Sequence, residues 1–259
     1  AVTISDTSAS AANIKLINDD STGAIDMSAV TTITSSSTSD VLEIVNNTNA
    51  AFTTANNYAV TLSDTASAAN ANTIMNDTAG IVTATVTATG AVADLNTALA
   101  NATANDALTL VLNATSASAA DLNTLNGKTS VNINAATIET ITSSTADDVN
   151  TAVTNKTAIG LDGDWNVTLS DTTLSAAEVK TINAGTSGAI VMTAATTISS
   201  SSVSDILEIV QNTGAAFTTA SNYAVTLSDT TASAANIKLI NADSTGAIDM
   251  SAVTTISSS

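Results

Sequence analysis

Apolar and polar residues alternate in short stretches that return along the chain. Val2 and Ile4 alternate with Thr3 and Ser5, which is the period of a strand with one buried face. The same alternation recurs in three later stretches, at Val60 and Leu62, Val167 and Leu169, and Val225 and Leu227. The sequence therefore predicts a short, half-buried strand at each of these places.

A helical pattern follows these strands. Ala11, Ile14 and Ile17 lie three residues apart, so they share one face of a helix. A helix of about ten residues is marginally stable alone in water, so tertiary packing must hold it. We expect Val2 and Ile4 to point inward together with Ile14 and Ile17.

The whole pattern repeats with high fidelity. Residues 1–36 match 224–259 at 32 of 36 positions, and 24–63 match 189–228 at 31 of 40. Helical patterns begin about every 28 residues, a period typical of solenoids, in which each repeat buries its apolar face against its neighbours. Because the chain begins and ends in the same phase of the repeat, we interpret it as a segment of a longer array.

Strands and helices succeed one another without the short turns of β-hairpins, which indicates parallel strands joined by right-handed crossovers. We therefore predict an α/β fold, a right-handed α/β solenoid of about 28-residue strand–helix repeats with a parallel sheet. Residues 89–164 keep the period but lose the Val-Thr-Leu-Ser-Asp-Thr signature. We interpret them as drifted repeats inside one continuous domain, 1–259.

The composition excludes several classes of function. The chain has no His and no Cys, so the usual proton shuttle, thiolate nucleophile and zinc ligands are missing. Its five basic residues are all lysines, and 23 acidic residues bring the net charge to −18, which disfavours nucleic acid and anionic lipid as partners. Uncharged stretches such as 78–93 are rich in Thr, Gly and Ala, so we expect no membrane insertion. Divalent cations remain possible partners.

Four aspartates occupy one phase of the repeat, directly after a strand and before a helix. An aspartate there can accept a hydrogen bond from the first turn of the helix, where its charge is also favourable. The alternative is a ladder of ion sites, although one carboxylate per repeat supplies far fewer oxygens than calcium takes. The four residues are Asp6, Asp64, Asp171 and Asp229.

Two further features suggest a binding site, and each has a structural alternative. Asp162-Gly163-Asp164 resembles the core of a calcium loop but lacks the remaining ligands, so a solvated turn is the preferred interpretation. We predict no cofactor, with calcium as the possible exception. Thr83, Thr85, Thr87 and Thr89 form a Thr-x-Thr row like that of ice-binding β-solenoids. Threonine is also simply a good strand residue. The neighbouring segments carry Asn132 and Asn134 or Leu108 and Leu110 instead, so the row is expected on one strand only.

An enzyme is not expected. A Ser or Thr hydroxyl becomes a nucleophile only beside a base, and without His that base would be a lysine. The lysines are scattered over surface positions, at residues 15, 128, 156, 180 and 238. Glu43 and Glu208 are copies of one repeat position and are expected to be exposed, so they do not form the carboxylate pair of a glycosidase. We predict no catalytic, cofactor-binding or metal-binding residue.

The recurring VTLSDTTLSAAEVKTIN and SVSDILEIVQNT units, rich in Ala, Ser, Thr, Asn and Asp, resemble repeat regions of giant cell-surface proteins of marine cyanobacteria and similar bacteria. Those proteins include exported adhesins and a motility protein, so the resemblance implies an extracellular or cell-surface structural role and carries over no functional residue. We expect a structural or adhesive repeat segment that self-associates end to end, with 224–259 against 1–36, into a filament. The alternative is a binding module for divalent cations, glycans or ice.

Overall fold

The computed structural model describes residues 1–46 and 51–258. Residues 47–50, inside the repeat 24–63, and Ser259, the last position of the repeat 224–259, lie outside the described residues. Within the described residues the chain is an α/β protein in which every strand pair is parallel, as the sequence predicts. No helix among them is long and apolar enough to cross a membrane.

Most of the helices begin after a Ser or Thr that caps the first turn, whereas Val92–Ala98 begins after Ala91 and Lys156–Ile159 after Asn155. In the described part of the chain, nine helices begin at intervals of about 28 residues. Among the described residues the helices are α1 Ala11–Asp20, α2 Thr38–Val45, α3 Ala68–Asp77, α4 Val92–Ala98, α5 Ala119–Asn126, α6 Ala146–Thr154, α7 Lys156–Ile159, α8 Ala176–Gly185, α9 Val203–Val210 and α10 Ala234–Asp243.

The strands are short, and most repeats contribute two of them before their helix. They are β1 Val2–Thr3, β2 Ser8–Ser10, β3 Ile25–Met27, β4 Thr32–Ser36, β5 Phe52–Thr54, β6 Ala59–Ser67, β7 Val82–Thr87, β8 Ala107–Leu110, β9 Ser116–Ser118, β10 Thr140–Ser144, β11 Asn166–Leu169, β12 Thr173–Leu174, β13 Ile190–Met192, β14 Thr197–Ser201, β15 Phe217–Thr219, β16 Ala224–Leu227, β17 Thr231–Ser233, β18 Ile248–Asp249 and β19 Thr255–Ser257.

The chain divides into two compact units, each with its own sheets. The first unit, Ala1–Ala114 with Thr124–Asn134, contains the sheets β1-β3-β5 and β2-β4-β6-β7-β8. The second unit, Thr115–Asn123 with Ala135–Ser259, contains β15-β13-β11-β10-β9, β12-β14-β16-β18 and β17-β19. In each sheet a strand pairs with its equivalent about one repeat away, as in Ile190 opposite Phe217.

The core consists of Ile, Val, Leu and Ala from the inward faces of strands and helices, as the alternation predicts. Ile4 and Ile14 are buried, whereas Val2 and Ile17, also expected to point inward, are half-buried. Their counterparts in a later repeat, Val167 and Ile182, are completely buried. The apolar side chains therefore occupy the expected face, and the neighbouring repeat decides how far each is covered.

Three strand pairs carry a register shift at the same point of the repeat. In the pair β4–β6 the shift lies between Ile33 and Ser36, and it recurs between Ile141 and Ser144 in β10–β11 and between Ile198 and Ser201 in β14–β16. A shift of register changes which face of the sheet a side chain takes. In all three pairs the shift ends at a buried serine that is the last residue of its strand: Ser36, Ser144 and Ser201.

Candidate functional site: polar contacts between repeats

The repeated aspartates cap helices, but of the preceding repeat. Asp64 accepts hydrogen bonds from Thr38, which lies 26 residues earlier: one from its backbone N–H at 2.8 Å and one from its hydroxyl at 2.7 Å. These two hydrogen bonds hold the pKa of Asp64 below its usual value. Asp171 and Asp229 do the same, accepting from the first backbone N–H of α6 at 2.8 Å and of α9 at 2.6 Å. The expectation that these residues cap the helix that follows them is therefore wrong.

The local caps are supplied by hydroxyl residues instead. Each accepts a hydrogen bond from the N–H three residues further along, and Ser175 forms a complete capping box with Glu178. Such caps satisfy N–H groups that no earlier carbonyl can reach. The capping residues are Ser10, Ser37, Ser67, Thr145, Ser175, Ser202 and Ser233.

The buried serines at the register shifts make the same kind of contact as the aspartates. The Ser36 hydroxyl accepts from the backbone N–H of Ala11 at 2.8 Å, and Ser201 accepts from Ala176 at 2.8 Å. Ser144 does so for the first residue of α5. Serine and aspartate thus alternate along the chain as caps that one repeat supplies to the helix before it.

Charged and amide side chains connect successive helices. Lys15 on α1 forms an ion pair of 2.9 Å with Glu43 on α2, and Asn18 donates to the same carboxylate at 2.8 Å. Hydrogen bonds from the ammonium to Glu43 and Asp19 raise the pKa of Lys15. A lysine held in this way stays protonated and does not serve as a general base at neutral pH.

The copy of this arrangement in the second unit has the same chemistry. Lys180 pairs with Asp205 at 2.7 Å, which raises the pKa of Lys180 and lowers that of Asp205. Asn183 donates to Glu208 at 2.5 Å. Glu43 and Glu208 are therefore half-buried, and the expectation that they are exposed is wrong, because the preceding helix supplies donors to them.

The remaining lysines lie apart from one another. Lys128 donates to the backbone carbonyl of Leu99 at 2.9 Å, Lys156 begins the short helix α7, and Lys238 is exposed. In the described part of the chain none of the three forms an ion pair with a carboxylate, and none donates to a Ser or Thr hydroxyl.

A buried tyrosine recurs as a further contact that the sequence analysis did not identify. Tyr58 donates to Asp77, and its copy Tyr223 donates to Asp243 at 2.5 Å. Burial and the acceptor carboxylate raise the pKa of both phenols. The signal in the sequence is the recurrence of Tyr58 as Tyr223, together with an Asp as the last residue of the helix that follows in each case, α3 and α10.

The Asp162-Gly163-Asp164 fragment lies in an irregular connection before β11. Partial burial and the neighbouring Asp164 raise the pKa of Asp162, and the carbonyl of Gly163 accepts from the backbone N–H of Ser187 at 2.7 Å. Over residues 1–46 and 51–258, no group of three or more acidic side chains is placed to hold a metal ion. Calcium binding here thus remains a hypothesis.

The threonine row of β7 continues on its neighbours. Thr83 and Thr85 lie opposite Thr61 and Thr65 of β6, and Thr85 also lies opposite Thr109 of β8. All five side chains are exposed. The expectation that the row is confined to one strand is wrong, because a register shift in β6 brings Thr65 beside Thr85, and because Leu108 and Leu110 of β8 face the core.

Comparison with known proteins gives no match among protein-family models, curated proteins or solved structures. The function must therefore be argued from the contacts themselves.

Proposed function

We propose that the chain is a structural segment of a repeat array, and that its polar repeat positions serve to join one repeat to the next. The observation that supports this proposal is that polar residues recurring at the same repeat positions form contacts between one repeat and the next. Asp64, Asp171 and Asp229 cap the helix of the preceding repeat, and the pairs Lys15–Glu43 and Lys180–Asp205 connect neighbouring helices. Residues engaged in this way are satisfied within the fold and need no ligand.

A right-handed α/β solenoid of about 28-residue repeats is the architecture we propose for the array. The support is the parallel pairing of each strand with its equivalent in the next repeat and the matching rows of helix contacts. Adjacent strands of a sheet lie about 4.8 Å apart, so each repeat would add that distance along the strand row.

An extracellular or cell-surface location, with a coating, projecting or adhesive role, is the setting we propose. The support is the resemblance in composition and repeat style to giant bacterial surface proteins, together with the net charge of −18 and the absence of cysteine. Labelling of intact and of lysed producing cells with an antibody against the chain tests this location. Labelling found only after lysis would contradict it.

End-to-end self-association is the assembly that we propose for such segments. Strand β19, Thr255–Ser257, is the counterpart of β14, and strand β1, Val2–Thr3, is the counterpart of β16. Within the chain, β14 pairs with β16. A second molecule could therefore extend the sheet with Val2 opposite Ile256, as Val225 lies opposite Ile198. The net charge opposes this contact, so salt should strengthen it by screening.

The structural proposal predicts only a small response to calcium. Thermal unfolding measured with and without millimolar calcium should show a shift of no more than about 2 °C, matched by magnesium at the same ionic strength, because screening of the acidic surface is the sole effect expected. A larger shift specific to calcium would support the alternative of a cation-binding module.

The exposed threonine surface favours a second candidate, a binding module for ice or glycans. Thr61, Thr65, Thr83, Thr85 and Thr109 form neighbouring rows on three parallel strands, which regular solids or sugar rings could contact. Thermal hysteresis or glycan-array binding that is lost in the Thr85→Tyr variant would establish this function. The absence of both in the wild-type protein would exclude it.

A further inference from the structure

One connection of the second unit holds an unpaired peptide next to a carboxyl group. Asp162-Gly163, before β11, is the one Asp-Gly pair of the chain, and neither residue lies in a helix or a strand. Within residues 1–46 and 51–258 the N–H of Gly163 finds no hydrogen-bond acceptor, and a Cβ placed on Gly163 would meet nothing within 4 Å. The nitrogen of this peptide is therefore free to approach the Asp162 side chain.

The Asp162 carboxyl group lies in surroundings that favour its neutral form. Its Oδ1 atom is buried and has no hydrogen-bond partner in the described part of the chain. Burial and the neighbouring Asp164 raise the pKa of Asp162, so more of it is protonated at mildly acidic pH than of an ordinary aspartate. A protonated carboxyl group can lose its hydroxyl as water, whereas a carboxylate does so far less readily.

The reactive pair occurs in only one of three copies of this position. Trp165 occupies the position of Tyr58 and Tyr223, because the carbonyl of each accepts a hydrogen bond from the hydroxyl residue that follows the next helix. Three residues earlier, the other two copies carry alanine, which has no carboxyl group. The counterparts of Asp162-Gly163 are Ala55-Asn56 and Ala220-Ser221.

The carbonyl of Gly163 joins this connection to the next repeat. It accepts hydrogen bonds from the backbone N–H of Ser187 at 2.7 Å and from the Ser187 hydroxyl at 3.1 Å. The same backbone contact recurs in the two other copies, where Asn56 accepts from Ala79 at 2.9 Å and Ser221 from Thr245 at 3.0 Å.

We propose that Asp162-Gly163 is a site of spontaneous backbone modification, at which the aspartate closes to a succinimide and reopens as isoaspartate, and that this change weakens the contact with the next repeat. The chemistry needs no enzyme and does not depend on the proposed array function.

The reaction balances with water alone. The Gly163 nitrogen attacks Cγ of the protonated Asp162 carboxyl, an N–C bond forms, the C–OH bond breaks, and the hydroxyl leaves with the amide proton as water. Water then opens the five-membered ring. Opening at Cγ restores aspartate, and opening at the former main-chain carbonyl leaves isoaspartate, whose main chain runs through the side chain.

Isoaspartate adds one atom to the main chain where the packing has little room. A Cβ on Gly188 would lie 2.3 Å from the carbonyl oxygen of Trp165, so the backbone of the next repeat lies directly against this connection. The longer main chain therefore has to displace the Gly163 carbonyl from Ser187.

The test is to hold the intact folded protein at about pH 5, where the neutral carboxyl is well populated, and to map its peptides by mass spectrometry. We expect a succinimide, one water lighter, and then an isomer of unchanged mass that isoaspartyl methyltransferase methylates, both in the peptide that contains Asp162. Asp162→Ala, which reproduces the two other copies, should give neither product. Gly163→Ser, which reproduces Ser221, should react about tenfold more slowly, because a side chain restricts the attacking nitrogen.

The chain also contains an internal control, its one Asn-Gly pair, Asn126-Gly127. Its amide can close to the same ring, but the N–H of Gly127 already donates to the carbonyl of Thr124 at 3.1 Å. Folding should therefore slow the reaction at Asn126 at least about tenfold relative to the protein in urea, and should slow that at Asp162 much less.

The consequence is measured on the same samples. Protein enriched in isoaspartate should melt about 2–4 °C lower than fresh protein, with an altered emission of Trp165, the single tryptophan. Asp162→Ala held for the same time should not change. Reaction at Asp162 only in urea, or an equal rate in Gly163→Ser, would overturn the proposed site. An unchanged melting temperature of the modified protein would overturn its effect on the repeat contact.

Discussion

Residues 1–36 and 224–258 have nearly the same sequence and bury different faces. In the first repeat Ile25, Met27 and Ile33 are fully buried by the repeat that follows, while Val2 and Ile17 on the other side are half-exposed. In the last repeat the pattern is reversed. Val225 and Ile240 are buried, and the counterparts of Ile25, Met27 and Ile33 are partly or largely exposed, namely Ile248, Met250 and Ile256.

A third copy, residues 166–201, has neighbours on both sides within its unit and is buried on both. Val167, Ile182, Ile190 and Ile198 are all completely buried. Burial in this fold is therefore a property of a repeat together with its neighbours, as expected for an array in which stability is a sum of repeat and interface terms.

The largest expected effect comes from one substitution made in two copies. Ile198→Ala removes a completely buried side chain and should lower the free energy of unfolding by about 2–5 kcal/mol. Ile256→Ala, at the matching and exposed position, should cost less than about 1 kcal/mol. Urea unfolding of both variants measures the difference, and equal losses would show that the interface between repeats does not determine burial energy.

A smaller effect is expected from the aspartate caps. Asp64→Ala removes the acceptor for the first N–H of α2 and should destabilise the protein by about 1 kcal/mol. Asp6 is the counterpart in the first repeat, is exposed, and caps no helix among the described residues. Asp6→Ala is therefore the matched control and should leave the melting temperature unchanged; a loss as large as that of Asp64→Ala would refute the cross-repeat cap.

These caps show where sequence reasoning succeeded and where it stopped. Alternation and helical spacing predicted one half-buried strand per repeat, the helices and their period, because those signals are local. The succession of strands and helices predicted the parallel pairing, whereas the second short strand that most repeats contribute was not predicted. The acceptor Asp64 and its donor Thr38 lie 26 residues apart, so only the packed repeat reveals their pairing. The threonine rows also required the register, since a shift between Thr61 and Thr65 aligns β6 with β7.

The smallest effect concerns pH. The pKa of Asp64 is lower in the folded chain than in the unfolded chain, so its contribution is present above the usual carboxyl pKa, near 4, and is lost as the pH falls through the lowered value. Between pH 5 and pH 2 the stability of wild type should therefore fall more steeply than that of Asp64→Ala. Parallel curves for the two proteins would contradict this assignment, and Asp6→Ala serves again as the control.

Amide hydrogen exchange of one isoleucine in its three copies tests the central claim most directly. The N–H of Ile25 donates to the carbonyl of Ala51, and that of Ile190 to Ala216, each in the next repeat and each at 2.9 Å. Ile248 is the same position in the last repeat, where no described residue follows to supply this carbonyl. Exchange at Ile25 and Ile190 should be slower than at Ile248 by a factor of about 100 or more. Equal protection of the three amides would contradict the claim that neighbouring repeats stabilise one another.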